Sequence, residues 1–259
     1  MARFFRISFI SFKALLGWLD PKMYIIYKII DPALQMIFYT TMVQFVYKSQ
    51  DITPWILGNA FLLCTKNAVF AVGGMLRSDR DQGTLQLIIA SPSNKLYVFL
   101  ARAFFNVLDA SFTVIIGLII GVIFFGLNFT GTNILAFALS ILVAMIGGMG
   151  IGLVLGSIAL VMREIHLFLN VSNMILYILT GASFSRERLP EGMYLLSNLI
   201  PITRSIDASR IIIAKGNLLS ALQLLGIDLM IGSVYIFIGF VLYGYFEYKA
   251  RVSATLEAY

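Results

Sequence analysis

The chain has 259 residues, 59% of them apolar and only 12% charged, about half the charged share of a soluble domain. With a mean hydropathy of +0.90, this excludes a soluble enzyme, a disordered protein and a disulfide scaffold, and describes a polytopic membrane protein. One cysteine, Cys64, and one histidine, His166, exclude an internal disulfide and offer no ligand set for a metal cluster. The net charge of +6 fits cytoplasmic loops facing anionic lipid.

In chain order, residues 1–20 come first. At 100° per residue, Arg3, Arg6 and Lys13 share one side of a helix, and Phe4, Ser8, Phe12, Leu15 and Leu19 lie opposite. That pattern predicts a helix lying in the membrane interface rather than a signal peptide or a span. Asp20-Pro21 is expected to end it. A transmembrane helix takes roughly 20 residues. Six are expected, at about 29–47, 54–76, 97–126, 133–161, 165–184 and 218–246. Pro32 is placed in the first turn of the opening span. Six spans leave no room for a separate soluble domain, so residues 1–259 are expected to form one transmembrane domain. With both termini in the cytoplasm, twelve Lys and Arg lie inside and six outside, the orientation that the basic-residue rule favours.

Within the spans, Lys66 and Asp109 are each more than two helical turns from the nearer end. The expectation is that they pair, because a lone charge at that depth costs roughly 2.5–3.5 kcal/mol. Asp228 in the last span is a competing partner for Lys66. Gly148, Gly152 and Gly156 repeat every four residues in span 4 and flatten one face for another helix, most simply one of the same chain.

Two polar segments interrupt the apolar pattern. Residues 77–95 are charged at the front and apolar behind. Leu85, Ile88 and Ile89 form an i, i+3, i+4 stripe before Pro92, which predicts a short amphipathic helix over 79–91. Such a helix lies on headgroups or docks in a groove of a partner protein. Residues 185–217 hold two stretches too short to span, 190–199 and 202–214, split by Pro201. A re-entrant or interfacial hairpin over 186–215 fits them.

In these two segments the chain resembles the type-2 permease family of ATP-binding-cassette exporters, in its drug, nodulation-factor and antibiotic-resistance branch. The first carries Asp79, Arg80, Asp81, then Gly83-Thr84-Leu85, Gln86, an apolar stretch and Pro92. The second carries Leu189-Pro190, Ile200-Pro201 and Asp207-Ala208-Ser209-Arg210. The chain departs from the family at Gln86, where members often have Glu, and at Ile200, where they have Asn. The resemblance implies an all-α permease subunit with six transmembrane helices, an N-terminal interfacial helix, a cytoplasmic coupling helix and an extracytoplasmic re-entrant hairpin. It implies a second permease, identical or related, and two cytoplasmic nucleotide-binding subunits that carry ATP and Mg. The coupling helix, with Asp79, Arg80, Asp81, Gly83, Thr84, Leu85, Gln86, Ile88 and Ile89, would pass their motion to the spans. The hairpin, with Leu189, Pro190, Pro201, Asp207 and Arg210, would shape the outer exit. Spans 1, 2 and 5 would line the pathway for an amphipathic drug, peptide or lipid-linked compound. A polysaccharide or teichoic-acid exporter shares this size and span order, and a structural membrane protein or a passive channel are rivals of other kinds. No Gly-x-x-x-x-Gly-Lys-Ser/Thr loop occurs in the sequence, so energy would come from another chain.

Overall fold

The computed structural model describes residues 5–6, 8–10, 13, 20–48, 51–84, 95–158, 165–183 and 186–252. Among them all regular structure is helical. The helices are α1 (Pro21–Tyr47), α2 (Thr53–Asp81), α3 (Lys95–Phe125), α4 (Ile134–Ile158), α5 (Ile165–Leu179), α6 (Glu191–Ser197), α7 (Thr203–Ile213) and α8 (Leu218–Val252). A single 3₁₀ turn, Arg186–Arg188, precedes α6.

Five helices, α1, α2, α3, α4 and α8, are long and apolar enough to cross a membrane. The sixth expected span is α5, which has 15 residues and ends at Leu179, not at 184. At 1.5 Å per residue it covers only ~22 Å. The stop has a local cause. Thr180 still donates its N–H to the Leu176 carbonyl, but Gly181 takes a left-handed φ of 70°, which a continuing helix does not allow.

The first span also differs from expectation. It begins at Pro21, earlier than the expected 29, and Pro32 sits inside the helix rather than in its first turn. The Asp20 carboxylate accepts from the Lys22 N–H at 3.0 Å, and Pro21 occupies the first turn, where its missing N–H costs nothing. Of the expected interfacial helix, residues 5–6, 8–10 and 13 are described, and all are helical. Ser8 is buried and Arg6 and Lys13 are exposed, as the wheel requires. Phe5 and Phe9 meet Phe104 and Phe105 of α3 edge-on.

The central helix is α2, buried on most sides, whereas α1 and α8 leave most of their surface outward. The glycine stripe of α4 explains how α2 comes to the centre. A Cβ on Gly152 would stand 2.9 Å from the Val72 Cβ, and one on Gly156 would stand 3.2 Å from the Gly73 Cα. The stripe therefore packs within the protomer. A second small-residue face of α4 receives α8, with Gly150 against the Gly232 carbonyl.

After α5 the segment expected as a hairpin holds two short helices, α6 and α7, close to the expected 190–199 and 202–214. Its turn, at Pro201 and Ile202, rests on Gly147, whose added Cβ would lie 2.9 Å from the Pro201 Cβ. Gly147 is thirteen residues into α4, ~20 Å along it.

Candidate functional site

Three polar centres interrupt the apolar bundle. The first sits where α2 hands over to the coupling segment. The last turns of α2 carry Asp79, Arg80 and Asp81. Gln82 donates its N–H to the Ser78 carbonyl, and Gly83 then takes φ of 67°, a left-handed stop that turns the chain. Arg102 of α3 grips Asp79 with both terminal nitrogens, at 2.5 Å each. The Thr84 hydroxyl donates back to the Asp79 carboxylate and carbonyl at 3.3 and 3.2 Å. Asp79 is only 5% exposed. It therefore faces into the protein and joins α2, α3 and Thr84 just beyond the turn. Leu85, Gln86, Ile88, Ile89 and Pro92 lie outside the described residues. For Arg80 and Asp81 only the helical backbone is described.

The second centre is in the membrane. The expected Lys66–Asp109 pair is not made. Asp109 of α3 instead binds Lys28 of α1 at 2.6 Å and accepts from the Tyr24 hydroxyl. Lys66 of α2 donates to Gln35 of α1 at 3.2 Å, and Gln35 donates to Asp31 at 2.7 Å. The reason is a polar stripe on α1, in which Tyr24, Lys28, Asp31 and Gln35 recur at i, i+4, i+7 and i+11 on one helical face. This stripe offers each charge a nearer partner. Lys28 and Gln35 are seven residues apart, so Asp109 and Lys66 meet α1 at levels ~10 Å apart. Above them the rings of Tyr39 and Tyr177 lie 5.0 Å apart.

The third centre is the hairpin. Asp228 of α8 is 1% exposed, ten residues or ~15 Å along its helix. It does not meet Lys66. Its Oδ2 accepts from the backbone N–H of Ile202 and Ser205 at 2.9 Å each and from the Ser205 hydroxyl at 2.5 Å. A carboxylate from the last span thus caps the N-terminus of α7, where orphan N–H groups and the helix dipole favour negative charge. The cap is needed because Ile202, at the N-cap position, has no side-chain oxygen and stands at φ of 100°. The Asp228 Oδ1 and the Thr203 hydroxyl have no hydrogen-bond partner among the described residues.

The other end of α7 is held by Arg210. Its Nε donates to the Pro54 carbonyl at 3.0 Å and its Nη2 to the Gly181 carbonyl at 2.8 Å. These bonds fasten the hairpin to the start of α2 and the end of α5. Burial pulls the Arg210 pKa below the ordinary arginine range, and Asp207 beside it pulls back. Asp207 also pairs with Arg186, whose guanidinium lies 6.0 Å from the Tyr194 ring centre. Together with Pro54, Trp55 and Glu187, these residues line a cavity of about 410 Å³. Of the other expected hairpin residues, Leu189 donates its N–H to the Arg186 carbonyl, and Pro190 and Pro201 precede α6 and α7 and break the chain direction.

The family model described as ABC-2 type transporter matches residues 7–214, a stretch that takes in all three centres except Asp228. None of the curated proteins compared matches the chain.

Proposed function

The chain belongs to the ABC-2 type transporter family, which makes it a multi-pass permease subunit and not itself a catalyst, and we propose that it works in an exporter. In this reading residues 1–259 act as one domain. A second permease, identical or related, completes the pathway, and two separate nucleotide-binding subunits supply ATP and Mg. The cargo is an amphipathic drug, peptide or lipid-linked compound, and the location is the cell membrane of a prokaryote. The observation that carries the reading is the family match from 7 to 214, because it includes the coupling segment and the hairpin together.

The finer arrangement follows. Six spans are counted with α5 as the short one, and both termini are cytoplasmic. The hairpin enters the membrane from the exterior and returns. Supporting this, its turn lies beside Gly147 and Asp228, both ~15–20 Å along long apolar helices, and Leu195 and Leu196 of α6 and Leu199 after it are exposed. The coupling helix 79–91 docks on the nucleotide-binding subunit. Leu85, Ile88 and Ile89 enter a groove there, and Arg80, Asp81 and Gln86 lie at its rim. Asp79, with Thr84 and the Gly83 turn, anchors the segment to α2 and α3.

Burying each apolar side chain of the stripe contributes about 1.5–3 kcal/mol. Changing Leu85 and Ile88 together to Asp is therefore expected to release the ATPase subunit from the tagged permease during purification, while the permease stays in the membrane fraction at normal yield. An intact complex in that variant would place docking elsewhere, and the absence of any ATPase subunit from the parent preparation would refute the reading.

A further inference from the structure

Helices α3 and α4 are consecutive, yet each packs on α2 far more than on the other. They splay apart and leave a groove of about 620 Å³ between them. Its lining is almost wholly aliphatic and aromatic: Ile115, Ile119 and Ile123 on α3 face Ala138 and Leu142 on α4. The groove runs from Ser111 to the loop 126–133. Ser111 is fourteen residues from the end of α3, so the groove is ~21 Å long. That exceeds one leaflet of a hydrocarbon core ~30 Å thick.

One end of the groove lies beside a cation. Thr132 lines that end, with its hydroxyl buried away from the surface. Lys215 reaches over the same loop, so near that a Cβ on Gly131 would stand 2.9 Å from its Nζ. No acidic partner for Lys215 occurs among the described residues. An exposed cation at the end of a leaflet-deep apolar groove forms the pattern that a phosphate head and an acyl chain complement.

A second protein helix is a poor fit. Close helix approach in a membrane uses small residues, and the glycine faces of α4 are already taken by α2 and α8. The walls left over are branched aliphatics, half or more exposed at Ile119, Ile123 and Leu142, which suit a flexible chain.

We propose that this groove is a binding site for an anionic glycerophospholipid of the surrounding bilayer, with one acyl chain between α3 and α4 and the phosphate at Lys215. The proposal needs only that the helices stand in a membrane, so it is independent of the exporter reading.

The test uses the full chain in vesicles of equal phosphatidylglycerol and phosphatidylcholine, doped with one or the other lipid carrying a photoreactive acyl chain. Labelling should concentrate on peptides covering 111–145. Phosphatidylglycerol should label them about five-fold more than phosphatidylcholine, the factor that one surface lysine contributes. Lys215→Gln should erase that preference and leave labelling itself in place. Ala138→Phe, at an exposed groove position, should remove most groove labelling while labelling elsewhere and the melting temperature stay unchanged. Equal labelling by the two lipids, labelling spread evenly over the outward face, or groove labelling that survives Ala138→Phe would each overturn the proposal. So would cross-links between two copies of the chain at 111–145 in place of lipid.

Discussion

The two ends of the bundle hold their charges in different ways. At the hairpin end Arg186 and Asp207 form an ion pair, but Asp228 and Arg210 bind backbone. The carboxylate takes two N–H groups at the start of α7, and the guanidinium gives to carbonyls of Pro54 and Gly181. At the other end, and deeper between α1 and α3, charges bind one another through side chains, in Asp79–Arg102 and Lys28–Asp109. Backbone groups cannot move without moving their helix, so the first kind of bond locks α7 to α2, α5 and α8 as one body. Ion pairs between long side chains re-form after the helices slide by an ångström, because the rotamers absorb the shift. The end that the proposed function assigns to receiving motion is thus the end whose bonds tolerate it.

Three substitutions break or sharpen this comparison. The two largest effects are expected where a buried charge or its partners are left unpaired, one at each end. Arg102→Ala leaves Asp79 buried without its counter-charge, a loss of about 3–5 kcal/mol for a pair taken out of water. A melting curve of the purified chain should fall by many degrees, and the double exchange Asp79→Arg with Arg102→Asp should restore much of it. Losses that simply add would show that the pair is not the fastening. Next comes Asp228→Ala, which strands three donors at the start of α7. Each buried group left unpaired costs about 1–3 kcal/mol. Asp228→Asn keeps an acceptor oxygen and should lose less. If Asn and Ala lose equally, the carboxylate is not acting as a cap. The smallest effect is expected for Gly152→Val, an overpacking of about 1–3 kcal/mol against Val72. It should lower the melting temperature without altering the oligomeric state. Loss of a permease dimer with the fold intact would move the glycine stripe to an interface between copies.

Much of the fold was legible in the sequence because the membrane imposes length and hydropathy on each crossing helix. The breaks at Pro190 and Pro201 located α6 and α7 to within a residue or two, since proline cannot continue a helix. Asp20-Pro21 was read as an ending, but the same pair also suits a beginning, with the aspartate as cap and the proline in the first turn. The polar partners were harder to see. Lys66 and Asp109 have similar depths on neighbouring helices, but pairing also depends on which helix stands beside them. The stripe Tyr24, Lys28, Asp31, Gln35 on α1 was visible as a periodicity and, once noticed, supplies both partners. Asp228 carried two signals: an intramembrane acid without a committed cation, and a helix over 203–213 that opens on Ile202 with no cap of its own. Joining them required a contact across 26 residues, which no local pattern encodes. The inward turn of Asp79 was hidden for a similar reason, since its partner Arg102 is 23 residues away.

The account turns on the two ends facing opposite sides of the membrane, and one labelling experiment tests that directly. In a Cys64→Ala background, single cysteines replace Glu191 at the start of α6 and Gln82 after α2, both exposed positions. Intact cells or spheroplasts are treated with a membrane-impermeant thiol reagent and compared with lysed ones. The account predicts that the Glu191→Cys chain is labelled before lysis and the Gln82→Cys chain only after it. Labelling of Gln82→Cys in intact cells, with Glu191→Cys protected until lysis, would contradict it.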